Sequence, residues 1–253
     1  MSKCIGVFDS GVGGLTVLKE LVSSKPASYI YIGDSLRAPY GNKSKEELLS
    51  HTKDLIEFLK SKGCDFFINA CNSLSSLDTE PLLKELSIAK ENYVDMISAT
   101  REEAIKGLDK DSKILIYATV ATINSGAYQE VFKNFKVTPL ASKNLAYAIE
   151  TDNQIEIDEE VGVLVDEIIK EKVTYLFLGC THFPLIKEYL EKRLSGLNVS
   201  IINPAKYVAE ELKNFKSGDF KIEFFTTELT EVWKEKVKEF VGSNIKEVSL
   251  TQD

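Results

Sequence analysis

The sequence predicts an α/β protein built as two similar halves around mostly parallel central sheets. Three observations carry that reading. Short apolar runs alternate with longer amphipathic ones along the chain, the pattern of strands joined by helical crossovers. The segment Phe66-Phe67-Ile68-Asn69-Ala70-Cys71-Asn72-Ser73 recurs in kind as Tyr175-Leu176-Phe177-Leu178-Gly179-Cys180-Thr181-His182, which sets Cys71 and Cys180 109 positions apart. The strand ends upstream repeat at the same offset: residues 5–8 lead into Asp9-Ser10, residues 114–117 into Ala118-Thr119, and Ser10 and Thr119 are again 109 apart.

Taken in order, strands are expected over residues 4–8, 29–32, 65–70, 93–97, 113–118, 174–178, 199–202 and 220–225. Helices are expected near 14–23, 45–60, 101–108, 128–134, 159–170, 185–194, 206–214 and 228–241. Pro81 suits the first turn of a further helix, where its missing N–H costs nothing. Thr227 reads as an N-cap before Glu228, and Gly242 as the stop after the last helix. The 253 residues suffice for one large domain or two small ones. The repeat favours two, 1–95 plus 205–253 and 96–204, with the C-terminal stretch returning to the first half.

Composition removes several function classes. Lys and Arg number 31 against 39 Asp and Glu, a net charge of −8, which argues against nucleic acid or an anionic membrane as the main partner. No run approaches the 18 or so apolar residues of a membrane span. The apolar start is broken at Asp9, too early for a signal sequence, so a cytoplasmic protein is expected. The four cysteines form no C-x-x-C pair and there are only two histidines. Zinc knuckles and disulfide scaffolds are therefore unsupported, and free thiols in a reducing compartment are the working expectation.

Cys71 and Cys180 fall at the carboxyl ends of strands, where open α/β sheets bind ligands. Residues able to open a helix follow each of them, Asn72-Ser73 and Thr181-His182. Helix-start N–H groups hold carboxylates and lower thiol pKa values. Two thiols flanking one cleft suit removal of a proton from one face of a carbon and its return on the other, which inverts the centre. Ser10, Asn72, Ser73, Thr119, Thr122 and Thr181 are suitable donors for a developing negative charge. Asp9 either orients Cys71, relays a proton or closes the Asp9-Ser10-Gly11 turn. His182 is placed to act as acid or base beside Cys180. Gly11-Val12-Gly13-Gly14 lacks a full phosphate-loop pattern and reads as a tight turn that exposes Asp9 and Ser10. Residues 37–41 form a second rigid loop. Cys4 and Cys64, at strand starts, are expected to be inert; His51 is expected to be exposed and Trp233 to be core.

These residues resemble the aspartate/glutamate racemase superfamily, and glutamate racemases within it. The matching segments are residues 5–17 (from Ile5-Gly6-Val7-Phe8-Asp9-Ser10-Gly11), Tyr31-Ile32-Gly33-Asp34, Pro39-Tyr40-Gly41, Ala70-Cys71-Asn72-Ser73, residues 118–125 and Gly179-Cys180-Thr181-His182-Phe183-Pro184-Leu185. The resemblance implies two pseudo-symmetric α/β domains with the active site in the cleft between them. It implies that Cys71 and Cys180 are the two bases, one for each enantiomer, with Asp9 assisting Cys71 and His182 assisting Cys180. Ser10, Tyr40, Gly41, Asn72, Ser73, Thr119, Thr122 and Thr181 would hold glutamate, and Glu150 would be a helper carboxylate. Ser73 stands where the family usually has threonine. No cofactor and no metal are implied. The family role is supplying D-glutamate for peptidoglycan, and the resemblance leaves room for a homodimer. The alternatives keep the fold and change the substrate, to aspartate, hydantoins or a malonate derivative, or keep the cleft as a silent binding site for acidic amino acids. A Cys-His hydrolase would not need both cysteines.

Overall fold

A computed structural model describes residues 4–212, 215, 220–240 and 245–247. Among the described residues, ten strands form two parallel sheets. The strands are β1 (Cys4–Asp9), β2 (Ser28–Gly33), β3 (Phe66–Asn69), β4 (Tyr93–Asp95), β5 (Lys113–Thr119), β6 (Lys136–Ser142), β7 (Tyr175–Gly179), β8 (Ser200–Ile202), β9 (Lys221–Thr226) and β10 (Ile245–Glu247). The first sheet has the order β10-β9-β2-β1-β3-β4 and the second β6-β5-β7-β8. The run 2-1-3-4 in one is therefore matched by 6-5-7-8 in the other. The sequence offset reappears in the strands: Cys4 and Lys113 open β1 and β5, Phe66 and Tyr175 open β3 and β7, and each pair is 109 apart. β9 joins the first sheet in register with β2, Tyr31 opposite Phe224.

Side chains alternate across each strand. On β5, Ile114, Ile116 and Ala118 face an apolar cluster shared with Ile5 and Val7 of β1, Phe177 of β7 and Trp233. That cluster joins the two sheets. Leu115 and Tyr117 face the other way, under Ile157, Val161, Leu164 and Ile168 of the helix Gln154–Glu171. Phe8 and Phe67 likewise face Leu48, Leu55, Ile56 and Leu59 of the helix Lys45–Ser61. Cover on both faces is what a parallel sheet requires. The helix at 45 starts with a capping box, Ser44 Oγ accepting from Glu47 N–H at 3.2 Å and Glu47 Oε2 accepting from Ser44 N–H at 2.9 Å, which satisfies two otherwise orphaned donors. No helix among the described residues is long and apolar enough to cross a membrane.

Several expected elements shift, each for a local reason. The strand expected to 97 stops at Asp95, and the helix expected over 101–108 is Met96–Glu103. Asp95 caps it by accepting from Ile97 N–H and Ser98 N–H, both at 2.9 Å. The last long helix is Glu231–Val237, capped by Thr230, whose Oγ1 accepts from Trp233 N–H at 3.3 Å. Thr227 is therefore not the cap; its hydroxyl donates to Asp34 Oδ1 at 2.9 Å. Gly242, read as the stop, lies outside the described residues, as do residues 213–214 of the helix expected to 214. β6 is an addition. Its Pro139 argues against a central strand, but among the described residues β6 is an edge paired only with β5, the position where a sheet tolerates proline. The short helix Leu145–Glu150 is also additional, and it buries Leu145, Ala148 and Ile149.

His51 is not the exposed residue expected. It lies between Leu48 and Leu55 on the buried face of its helix, and its ring packs 5.2 Å from that of Tyr40. Both ring nitrogens are buried without a hydrogen-bond partner among the described residues. Burial, then the nearby Arg37 charge, hold its pKa below the usual histidine value.

Candidate active site

Cys71 and Cys180 line one small pocket at the carboxyl ends of β3 and β7. They reach it by the same local route. Each follows a buried apolar strand by one or two residues, and each strand ends beside the central strand of its sheet. Both thiols are buried, at 3% and 5% exposure. A wider depression elsewhere, bordered by Lys19, Glu188 and Glu239, contains no cysteine or histidine.

On the first side, Cys71 occupies the N-cap position of the turn Asn72–Ser75. Asn69 Oδ1 accepts its backbone N–H at 3.1 Å, and its Sγ lies 3.7 Å from Ser10 Oγ. Burial pushes the Cys71 thiol well up and the Asp9 charge adds to the rise; the Leu74 N–H and Ser10 hydroxyl pull the other way. Cys71 is thus held as a neutral thiol in this state. Asn72 lines the pocket beside it. Tyr128 donates its hydroxyl proton to Asn72 Oδ1, which fixes the amide, while Asn72 Nδ2 is buried with no partner among the described residues. A buried donor left free carries a penalty that a ligand acceptor would remove.

The second side carries a chain of hydrogen-bonded groups that ends on a thiol. Cys180 Sγ is 3.9 Å from His182 Nδ1, and His182 Nε2 bonds Glu150 Oε2. Glu150 Oε1 accepts from Val12 N–H and from the Ser35 hydroxyl, each at 3.1 Å. Burial works against a charged His182 ring, but the Glu150 carboxylate and the Cys180 sulfur outweigh it and hold its pKa well above the usual value. Burial likewise works against the Glu150 carboxylate, and the His182 charge with bonds from His182, Val12 and Ser35 reverses it, leaving Glu150 below its usual range. The two directions agree on a buried carboxylate–imidazolium pair with the ring turned toward Cys180.

The glycines of the first turn make room for this pair. A Cβ on Gly11 would fall 2.3 Å from Glu150 Oε1, and one on Gly13 would fall 2.4 Å from His182 Nδ1. Their role is close approach rather than the exposure of Asp9. Asp9 is fully buried behind the pocket. Its Oδ2 accepts from Gly14 N–H at 3.1 Å, and its Oδ1 accepts from the Thr181 hydroxyl at 3.2 Å. Burial raises its pKa first, with the His182 charge pulling back and the Glu150 charge adding. Asp9 therefore ties the first sheet to the Cys180 loop and acts on Cys71 through its charge.

Of the expected ligand-holding residues, Ser10, Tyr40, Gly41, Asn72, Ser73, Thr119 and Thr181 line the pocket. Ser73 and Thr119 share a hydroxyl hydrogen bond of 2.9 Å across the two sheets. Thr122 stands behind them, its hydroxyl 3.0 Å from that of Thr119, so it supports Thr119 without lining the pocket. Tyr40 donates its hydroxyl proton to Asp34, which also bonds Arg37 and Thr227. The lining residues that sequence reading did not name are Asn42, just after the 37–41 loop, and Ser142, Lys143, Ala146 and Tyr147, which enter through the end of β6 and the helix after it. No sequence signal singled out the last four, because Pro139 obscured the strand that delivers them. Cys4 and Cys64 sit at the far ends of β1 and β3 with their sulfurs 3.2 Å apart, away from the pocket.

Comparison with known proteins places this geometry. A family model described as Asp/Glu/Hydantoin racemase matches residues 5–212. Glutamate racemase 3 of Caldanaerobacter subterraneus subsp. tengcongensis is 34% identical, covering 98% of this chain and 94% of its own. Glutamate racemase of Aquifex aeolicus is 34% identical, covering 95% of both chains. Among solved structures, a glutamate racemase isoform from Bacillus anthracis superposes with a TM-score of 0.84 at 32% identity over 98% of both chains. The enzyme from Francisella tularensis, solved in complex with D-glutamate, gives 0.79 at 27% identity over 98% of both. With two parallel sheets and relatives of this kind, the chain is an amino-acid racemase. It belongs to the Asp/Glu/Hydantoin racemase family.

Proposed function

We propose that the protein interconverts L- and D-glutamate without a cofactor, using Cys71 and Cys180 as opposed acid and base on one Cα. The observation that carries this is the placement of two buried thiols at equivalent strand ends of a repeated sheet, lining one pocket. In one direction a thiolate takes the Cα proton, the electron pair passes into the substrate carboxylate, and the opposite thiol gives its proton to the other face. The roles of the thiols reverse in the other direction. Cys71, held neutral by burial and the Asp9 charge, is the proton donor of the resting state. The His182 imidazolium stabilises a thiolate at Cys180 while it exists. Asn72 Nδ2 and the hydroxyls of Ser73 and Thr119 are donors for charge developing on the carboxylate. Lys143 in the lining adds a positive charge suited to an acidic substrate. The relatives that match over nearly the whole chain are glutamate racemases, which supports glutamate over aspartate.

In this reading the lobes 1–95 plus 205–253 and 96–204 each bring one thiol, and the product D-glutamate serves peptidoglycan synthesis. The test is circular dichroism of L- and D-glutamate solutions with enzyme and no added cofactor. Both are expected to decay to zero signal, with L-aspartate turned over far more slowly. Binding of glutamate without any loss of optical activity would overturn the assignment.

A further inference from the structure

We propose that Ser35 and Trp233 are positioning residues for the Glu150–His182 pair, so that the helix Glu231–Val237 sets the geometry at Cys180. The proposal rests on the racemase reading above for its kinetic consequence. Trp233 is fully buried, its ring 5.7 Å from that of Tyr31 and pressed on Gly33, where a Cβ would lie 2.4 Å from Trp233 Cζ2. Its Nε1–H donates to Ser35 Oγ at 2.7 Å, a bond across 198 positions of sequence. An indole N–H can only donate. The Ser35 oxygen is therefore the acceptor in that bond, and its own proton is free for Glu150 Oε1 at 3.1 Å.

The consequence runs down the chain of bonds. With the Ser35 hydroxyl and Val12 N–H both on Oε1, the other oxygen of Glu150 is left for His182 Nε2. With Nε2 committed, the remaining ring nitrogen, Nδ1, is the one facing Cys180 Sγ. The indole thus fixes the direction of a relay that ends on a thiol. A buried tryptophan needs some acceptor, but a serine shared with a buried carboxylate is a choice that reaches the site. The titratable groups facing the pair from the neighbouring elements are Asp9 at the end of β1, Tyr31 on β2 and Cys180 itself.

The test compares Ser35→Ala, Ser35→Thr and Trp233→Phe. The Ser35 hydroxyl stabilises the ionised carboxylate, so its loss moves the acid limb of kcat/KM for glutamate to higher pH, by about 0.5–1 unit. The same change lowers kcat about three- to tenfold, with KM little altered. Ser35→Thr keeps the hydroxyl and is expected to restore both. Trp233→Phe keeps the ring but loses the N–H, and is expected to shift the limb in the same direction by less. The chain has only two histidines, so ring 15N NMR resolves His182 without any substrate. Its acid-side inflection, which senses Glu150, is expected to move up in Ser35→Ala. An unchanged inflection in a folded Ser35→Ala variant, or a pH profile that superimposes on wild type, would overturn the proposal. A wild-type protein that does not turn over glutamate would instead overturn the racemase reading for glutamate, and the NMR comparison would still decide this one.

Discussion

Cys71→Ser and Cys180→Ser are each expected to lower racemisation by about 10³-fold or more, while leaving thermal unfolding close to wild type. A serine hydroxyl matches the thiol in shape but is far too weak an acid to supply an anion at neutral pH. Each substitution removes one face of the reaction and leaves the other. Cys71→Ser retains Cys180 with its His182–Glu150 support. Cys180→Ser retains Cys71 with Ser10 at 3.7 Å. In deuterated water each variant is therefore expected to wash out the Cα proton of one enantiomer, a different one in each case, without forming the other. Racemisation measured by circular dichroism and exchange measured by proton NMR check the two halves. Near wild-type racemisation in either variant would contradict the assignment.

The next largest effect belongs to Glu150→Gln, expected to reduce turnover about 10- to 100-fold and to reshape its pH dependence. Glutamine keeps an oxygen for Val12 N–H and the Ser35 hydroxyl, so the main loss is the negative charge beside His182. The sign follows from the direction of each shift. His182 is held above its usual pKa by Glu150 and Cys180 against burial, so it keeps its proton through neutral pH and loses it only as pH rises through the raised value. Glu150 is held below its usual range, so it stays ionised until pH falls below that range. The pair exists between those limits and turnover is expected to follow it. Without the carboxylate, burial pushes the His182 pKa down. The alkaline limb therefore moves to lower pH, and the acid limb set by residue 150 disappears. A kcat/KM profile for Glu150→Gln with the wild-type alkaline limb would show that Glu150 does not govern His182.

The parts of the site legible in the sequence were those with a local signature. Cys71 and Cys180 stood out because each follows a buried strand and precedes helix-opening polar residues, and because both sit at one repeat offset, which the strand starts at Cys4, Phe66, Lys113 and Tyr175 reproduce. Parallel sheets were legible because short apolar strands alternate with amphipathic helical stretches along the chain. What escaped was decided by contacts distant in sequence or by rules that a local pattern masks. Pro139 disguised an edge strand, and with it the route by which Ser142, Lys143 and Tyr147 reach the pocket. Asp95 with Ser98 formed a capping box that moved a helix five residues earlier. Gly11 and Gly13 looked like a turn that displays Asp9, whereas their missing side chains admit Glu150, from the helix after β6, and His182, from the loop after β7. Trp233 was legible as core, but its bond to Ser35 was not. In the proposed reading the acidic net charge of −8 is no obstacle to an acidic substrate, because local donors and Lys143 in the pocket lining, rather than the overall field, would supply the attraction.

The central claim is that two different groups handle the proton on the two faces of one carbon. It is tested most directly by running the wild-type enzyme on unlabelled L-glutamate, and separately on D-glutamate, in deuterated water and analysing both enantiomers at low conversion. The account predicts that the newly formed enantiomer carries deuterium at Cα while the recovered substrate carries almost none, in both directions. Product that retains the substrate's own proton would point to a single base and contradict it.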